Sequence, residues 1–276
     1  MTGTVLEVSG LRKEFVIDVP GKGKAHTLVA VDDVSFSVSA GGALAVVGES
    51  GSGKTTVARM IAGLEQATAG HVYVDGVERT RPRGAAQRLA QARQVQMVFQ
   101  DPYSSLDPRQ TVSSCLDEVL RLHHGGSAAE RAARIHELMS QVGLDERHEG
   151  LRPKALSGGQ RQRVGIARAL AVKPSLLILD ESVAALDVSI QAQILNLLNS
   201  LREELGVAYL FVTHNLAVAR YVCETTLVMR RGQMVEYGTS DKVLRDPAAD
   251  YTRRLLEAVP HVDWVPRRRT AEEMDG

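Results

Sequence analysis

The sequence predicts an α/β fold: a mostly parallel sheet covered by helices, with an antiparallel β subdomain beside it and an inserted α-helical subdomain. Three observations carry that reading. Continuous apolar runs at residues 43–47, 176–179 and 207–212 have the length and character of strands buried on both faces. Helical segments follow these runs, so strands and helices alternate along the chain. Between residues 101 and 155 the alternation stops and the pattern is mainly helical.

Taken in order, Val34-Ser35-Phe36-Ser37-Val38 alternates strictly and reads as a half-buried strand. Gly41-Gly42 turns the chain into the first buried run, and a glycine-rich stretch leads on to a helix. The apolar positions of that helix, Val57, Met60, Ile61 and Leu64, fall at offsets 0, 3, 4 and 7. Residues 71–74 followed by Asp75-Gly76 read as a strand entering a tight hairpin. Residues 78–94 carry Arg79, Arg81, Arg83, Arg88 and Arg93 without interleaved aromatics, the mark of a solvated surface segment rather than a nucleic-acid patch. A strand at 95–99 precedes the helical insertion, where Ile135, Leu138, Met139 and Val142 repeat the helical offsets. After the run at 176–179, Ile190, Ile194, Leu197, Leu198 and Leu201 form one helical face, and 207–212 is a further strand with a helix behind it. From about Pro260 the chain, including Arg267-Arg268-Arg269, is expected to fray.

Composition narrows the function. At 276 residues the chain exceeds the usual single-domain size, so one large domain with an insertion, or two small domains, is expected. Aromatics make up 4% against 44% apolar residues, so aliphatic side chains supply the core. Lys+Arg and Asp+Glu balance at 33 each, which argues against a general nucleic-acid binder. Cys115 and Cys223 form no CxxC pair and read as buried small apolar residues. The N-terminus lacks the pattern of a signal peptide, and no apolar run is long enough to span a bilayer. A cytosolic protein is expected, one that borrows any membrane role from a partner.

Gly48-Glu49-Ser50-Gly51-Ser52-Gly53-Lys54-Thr55 fits GxxxxGK[ST] in full, between a buried strand and an amphipathic helix. Glycines let the backbone N–H groups converge on phosphates without a side chain in the way. The following helix adds the positive end of its dipole. Lys54 should reach the β- and γ-phosphates, and the Thr55 hydroxyl should ligate Mg²⁺. Alone, this motif leaves kinases, GTPases and many ATPases open.

Leu176-Leu177-Ile178-Leu179-Asp180-Glu181 is an apolar strand ending in two carboxylates, delivered to the rim of the sheet where ligands bind in such folds. Asp180 is placed to hold the Mg²⁺ shell. Glu181, one residue on, points differently and can polarise an attacking water. Leu156-Ser157-Gly158-Gly159-Gln160 opens another helix. Its local reading is a capping box, Ser157 with Gln160 three residues on. Two adjacent glycines add close backbone access to an anion at the helix N-terminus.

These residues together resemble the ABC ATPases. In order stand the P-loop from Gly48 to Thr55, a Q-loop glutamine Gln100, the signature from Leu156 to Gln160 and the acid pair Asp180-Glu181. A D-loop Ala185-Leu186-Asp187 and a switch histidine His214 follow. The resemblance implies a P-loop NTPase of the RecA-like kind over residues 1–260. Residues 1–100 and 156–240 would form the nucleotide-binding core with its antiparallel β subdomain, and 101–155 the inserted helical signature subdomain. Residues 241–260 would be a family C-terminal extension and 261–276 a flexible tail. It implies a head-to-tail pair of ATPase subunits, each ATP lying between one P-loop and the partner's Ser157, Gly158, Gly159 and Gln160, with Asp187 nearby. Thr56 would contact the α-phosphate, Gln100 would sense Mg²⁺ and the γ-phosphate, and His214 would hold the γ-phosphate and water in register. Phe15 resembles the aromatic that stacks on adenine, although by itself it reads equally well as a core residue.

Val98-Phe99-Gln100-Asp101-Pro102-Tyr103-Ser104-Ser105-Leu106-Asp107-Pro108 is similar to the Q-loop of the oligopeptide/dipeptide/nickel importers. Residues 232–236, Pro247 and Tyr251-Thr252 through Leu256 and Pro260 resemble that family's C-terminal extension. The likeness implies transmembrane permease subunits docking in the Q-loop groove, an extracytoplasmic solute-binding protein acting indirectly, and a place at the cytoplasmic face of the membrane. It favours a paralogous second ATPase chain over a second copy of this one. Ser182, Ala184, Asn215 and Ala249-Asp250 depart from the usual pattern, and none removes a catalytic group. Asn215 keeps a good N-cap, and Ser182 is expected to loosen the D-loop. The alternative is a non-transport ABC ATPase acting on nucleic acid or ribosomes. Such relatives usually carry a long insertion or two ATPase domains, which this chain lacks, and no nucleic-acid partner is expected. Intact Glu181 and His214 argue against a subunit that only binds ATP, and a small-molecule kinase would not need the signature.

Overall fold

The computed structural model describes residues 3–18, 25–79, 82, 84–99, 105–184 and 186–258. Two sheets organise the chain. Strands β1 (Thr4–Asp18), β2 (Ala25–Ser39), β4 (Ala69–Val74) and β5 (Val77–Glu78) form an antiparallel sheet in the order β2-β1-β4-β5. The second sheet has the order β10-β9-β3-β8-β7-β6. It is built from β3 (Ala43–Val47), β6 (Val95–Val98), β7 (Leu176–Asp180), β8 (Ala208–Thr213), β9 (Thr225–Arg230) and β10 (Gln233–Thr239). All its pairings are parallel except the edge pair β9–β10.

The predicted central strands are buried on both faces, and each face has its own core. Leu44 and Val46 of β3 point into a core shared with the antiparallel sheet and α1 (Lys54–Ala62). Ala43, Ala45 and Val47 point the other way, into a core shared with helices α3 (Val112–His123), α4 (Ala128–Gln141), α5 (Gly158–Leu170) and α6 (Val188–Leu205). Shorter helices α7 (Leu216–Val222), α8 (Ser240–Arg245) and α9 (Asp250–Glu257) complete that side, their buried residues Leu216, Val218, Val243 and Tyr251 joining the same core. The helical repeat Ile135, Leu138, Met139 and Val142 is wholly buried, as its spacing requires. Leu64 departs from its expected place: Gly63, left-handed at φ 76°, closes α1, and Leu64 is exposed beyond it.

Other elements escaped the sequence reading for identifiable reasons. Register shifts near residues 8–14 of β1 interrupt the two-residue period that would have announced that strand. Helix α2 (Ala85–Gln94), inside the arginine-rich segment, buries no residue and therefore shows no apolar stripe. The hairpin at Asp75-Gly76 has positive φ at both residues (51° and 72°), the two-residue turn that suits the twist of paired strands. Cys115 and Cys223 are buried and free. Among the described residues no helix is long and apolar enough to cross a membrane.

Strand β4 crosses β1 very closely at Gly70. Its φ is +87°, and a Cβ there would lie 2.2 Å from the carbonyl oxygen of Gly10 and 2.7 Å from Leu11 Cα. Backbone cannot step aside as a side-chain tip can. Gly70→Ala is therefore expected to destabilise the protein by about 2–4 kcal/mol, read as a lowered midpoint in thermal denaturation. An unchanged midpoint would contradict that close approach.

Candidate active site

Parallel register brings the motifs together. Val47 pairs with Thr213 and Asp180 with Val212, so β3, β7 and β8 end side by side. The residues that follow them, Gly48, Glu181 and His214, leave the sheet along one carboxyl edge, where ligands bind in open α/β sheets. Strand β6 ends at the same edge, Val98 pairing with Leu179. Gln100, Tyr103 and Ala185 lie outside the described residues.

The loop at 48–53 curls round the Lys54 ammonium. That group donates to Gly48 O at 2.8 Å and Glu49 O at 2.7 Å, and lies 3.4 Å from Ser52 Oγ. Lys54 is only 5% exposed, and this burial lowers its pKa, opposed by the charges of Glu181, Asp180 and Glu49. Gly53 takes the N-cap position of α1 at φ 102°, and no side chain caps the helix. The first-turn N–H groups of Lys54, Thr55 and Thr56 thus form an anion-binding terminus at the loop. Together with Ser50, Gly51 and Ser52, this arrangement fits a polyphosphate.

Thr55 Oγ1 lies 3.3 Å from Asp180 Oδ1. Asp180 is 7% exposed, and burial pushes its carboxyl upward, with the Thr55 hydrogen bond opposing. A hydroxyl and a desolvated carboxylate side by side are hard oxygen donors of the kind Mg²⁺ takes, so the residues present fit that ion. Glu181 leaves the end of β7 at φ 44°, a left-handed conformation that costs a non-glycine residue about 1–2 kcal/mol. Its N–H donates to Val212 O at 2.9 Å. Its Oε1 lies 3.2 Å from His214 Nδ1, a contact that no local pattern foretold. His214 follows the buried Thr213, whose Oγ1 accepts from Asn215 N, and Asn215 Oδ1 caps α7 through the N–H groups of Ala217 and Val218.

The signature stands elsewhere. Ser157 caps α5 in a complete capping box: Ser157 Oγ accepts from Gln160 N at 3.2 Å, and Gln160 Oε1 accepts from Ser157 N at 2.8 Å. The local reading of these residues is thus realised in full. The glycines also have a packing role within the chain. A Cβ on Gly159 would come within 2.6 Å of Ile190 Cγ2, and one on Gly158 within 3.5 Å of Leu186 Cδ2. Signature and D-loop therefore touch, and Asp187, at the N-cap of α6, makes no side-chain capping bond. The turn after Glu181 is closed by Ala184 N–H to Glu181 O at 3.0 Å, and it encloses the Ser182 hydroxyl without a partner among the described residues. Phe15 is half-buried on β1, outside both cores, with the Lys13 ammonium 4.7 Å from its ring centre.

A further contact joins the phosphate loop to a distant helix. Tyr251 of α9 is 7% exposed, and its hydroxyl accepts from the N–H of Glu49, inside the phosphate loop, at 3.4 Å. Its only signal in the sequence was the likeness of the C-terminal segment.

Known proteins resemble this chain in sequence and in fold. The sequence model of the ABC transporter family matches residues 31–184. The chain is 44% identical over 278 residues to the oligopeptide transport ATP-binding protein OppF of Bacillus subtilis (strain 168), a match that covers 100% of this chain and 89% of that protein. It is 44% identical to the di/tripeptide transport ATP-binding protein DppF of Pseudomonas aeruginosa (strain UCBPP-PA14), over 96% of this chain and 82% of that one. Among solved structures, the ATP-binding cassette MJ0796, as a dimer in a post-hydrolysis state with ADP and Pi, superimposes with a TM-score of 0.74 at 29% identity. That match covers 85% of this chain and 98% of the other.

Proposed function

Since the chain belongs to the ABC transporter family as an ATP-binding and ATP-hydrolysing subunit, we propose that it energises an importer of peptides or related small solutes. It works in a head-to-tail pair of ATPase subunits beneath separate permease subunits. One observation carries the paired site. The phosphate-loop helix α1 packs into the core on one face of the parallel sheet, whereas the signature helix α5 packs into the core on the other. A signature so placed suits a nucleotide bound by a second subunit better than one bound by its own.

On this reading Gly48, Glu49, Ser50, Gly51, Ser52 and Gly53 wrap the phosphates of ATP, and Phe15 stacks on adenine. Lys54 leaves the loop carbonyls for the β- and γ-phosphates, and Thr56 reaches the α-phosphate. Thr55, Asp180 and Gln100 would hold Mg²⁺, which supplies positive charge against the phosphates when bound. Glu181 takes the proton of the attacking water as its oxygen bonds to the γ-phosphorus and the bond to the β–γ bridging oxygen breaks. His214 orients that carboxylate and the γ-phosphate. Ser157, Gly158, Gly159, Gln160 and Asp187 complete the partner's site. The division into a nucleotide-binding core (1–100 and 156–240), a helical signature subdomain (101–155) and a C-terminal extension (241–260) belongs to the same reading.

The peptide class is supported by the names of the relatives, which cover the chain from end to end. A paralogous second ATPase chain, a permease contact at residues 103–108, a solute-binding protein and a peripheral place on the cytoplasmic face follow from the likeness to those importers. Capture of the full chain from detergent-solubilised membranes is expected to bring down multi-span permease subunits and a second ATPase. The reconstituted complex should hydrolyse ATP faster when a peptide-loaded binding protein is added. Capture of ribosomal or DNA-bound partners, with no multi-span protein, would overturn the reading.

A further inference from the structure

The phosphate loop is held from behind by the last part of the chain. A Cβ on Gly48 would lie 2.2 Å from Met229 O, and Gly232 N–H donates to Ser52 O at 3.0 Å, so the end of β9 and the turn that follows it lie against both ends of the curl. Between them stands Glu49. Its carbonyl accepts from Lys54 Nζ at 2.7 Å, and its N–H is held by the Tyr251 hydroxyl. The residue that bears the lysine is therefore itself borne by a helix beyond every nucleotide-binding motif.

That helix is firmly seated. The Glu236 carboxylate accepts from Ala248 N at 2.8 Å and Ala249 N at 3.2 Å, at the entry to α9. Arg253 donates to Pro247 O and Ala248 O. The Arg230 guanidinium lies 4.9 Å from the centre of the Tyr251 ring, and the ring packs in the helical-side core. Burial raises the pKa of the phenol, so the group facing Glu49 is a neutral hydroxyl. Ring packing and hydroxyl can be separated, because phenylalanine keeps the first and lacks only the second.

We infer that Tyr251 is a positioning residue of the phosphate loop, through which the C-terminal helix sets the affinity for ATP. The inference rests on the reading of residues 48–55 as the ATP site. The test compares the full-length wild type with Tyr251→Phe and Lys54→Ala, by calorimetric titration with ATP, steady-state hydrolysis, and amide hydrogen exchange over residues 44–52. Tyr251→Phe is expected to raise the Kd and KM for ATP about threefold, the low end for one neutral hydrogen bond, given its 3.4 Å length. The kcat at saturating ATP should stay at the wild-type value, and exchange in the loop should quicken. A role confined to packing would leave KM and loop exchange unmoved.

Equal Kd and equal loop exchange in Tyr251→Phe, with binding lost in Lys54→Ala, would overturn the inference and leave the ATP site standing. Undiminished ATP binding by Lys54→Ala would overturn the site reading and the inference with it. Should Tyr251→Phe not fold, exchange in the wild type decides. A Glu49 amide exchanging as freely as in an unstructured chain overturns the role of Tyr251, and a protected one supports it.

Discussion

Glu181→Gln is expected to cut ATP turnover by about 10²- to 10⁴-fold, the span of general-base assistance, while leaving ATP binding intact. The geometry makes this a clean substitution. Glutamine has the same length, tolerates the same left-handed backbone (φ 44°) about as well, and keeps an oxygen for His214 Nδ1. What it loses is the ability to accept a proton. Bound nucleotide should therefore persist as ATP, and the ATP-bound dimer should accumulate. Single-turnover hydrolysis and size-exclusion chromatography with ATP and Mg²⁺ measure the two effects separately. Wild-type turnover in the variant would remove Glu181 from the role of base.

Ser157→Arg is the second large effect: turnover should fall by more than about 10²-fold, because a long side chain displaces the paired site by more than the ångström that catalysis tolerates. ATP affinity of the isolated subunit should not change. The substitution also removes the cap of α5, at about 1 kcal/mol, but that helix is secured by Val164, Ile166, Ala167 and Leu170 in the core. Ser157→Asp retains a capping oxygen and places a negative charge towards the partner's phosphates, so it should lose turnover with the helix end intact. If the isolated subunit lost its ATP affinity in either variant, Ser157 would belong to its own subunit's site, and the opposite-face argument would fail.

Much of the site was legible because its signals are local. A phosphate loop needs glycines and a lysine within eight consecutive residues. The capping box joins residues three apart, and the Asn215 cap reaches only to Ala217 and Val218. Buried strands such as β3 and β7 declare themselves by unbroken apolar runs. Where local order is disturbed, the local signal is lost. The register shifts of β1 hid a long strand, and α2, which buries no residue, had no apolar face to show. Gly63 ended α1 before the offset rule expected.

Taken by itself, the chain's order of residues determined the α/β class, the phosphate loop, the acid pair and the helix that Ser157 opens, since each depends on neighbours a few positions apart. Only the tertiary structure decided which of these meet. Thr55 faces Asp180 across 125 positions, Glu181 faces His214 across 33, and Tyr251 reaches Glu49 across 202. It also set the helices that follow the two glycine motifs, α1 and α5, against opposite faces of one sheet. The reason is physical: strand register and core packing fix these distances, and both are settled by burial summed over the whole fold, which no short stretch of sequence contains.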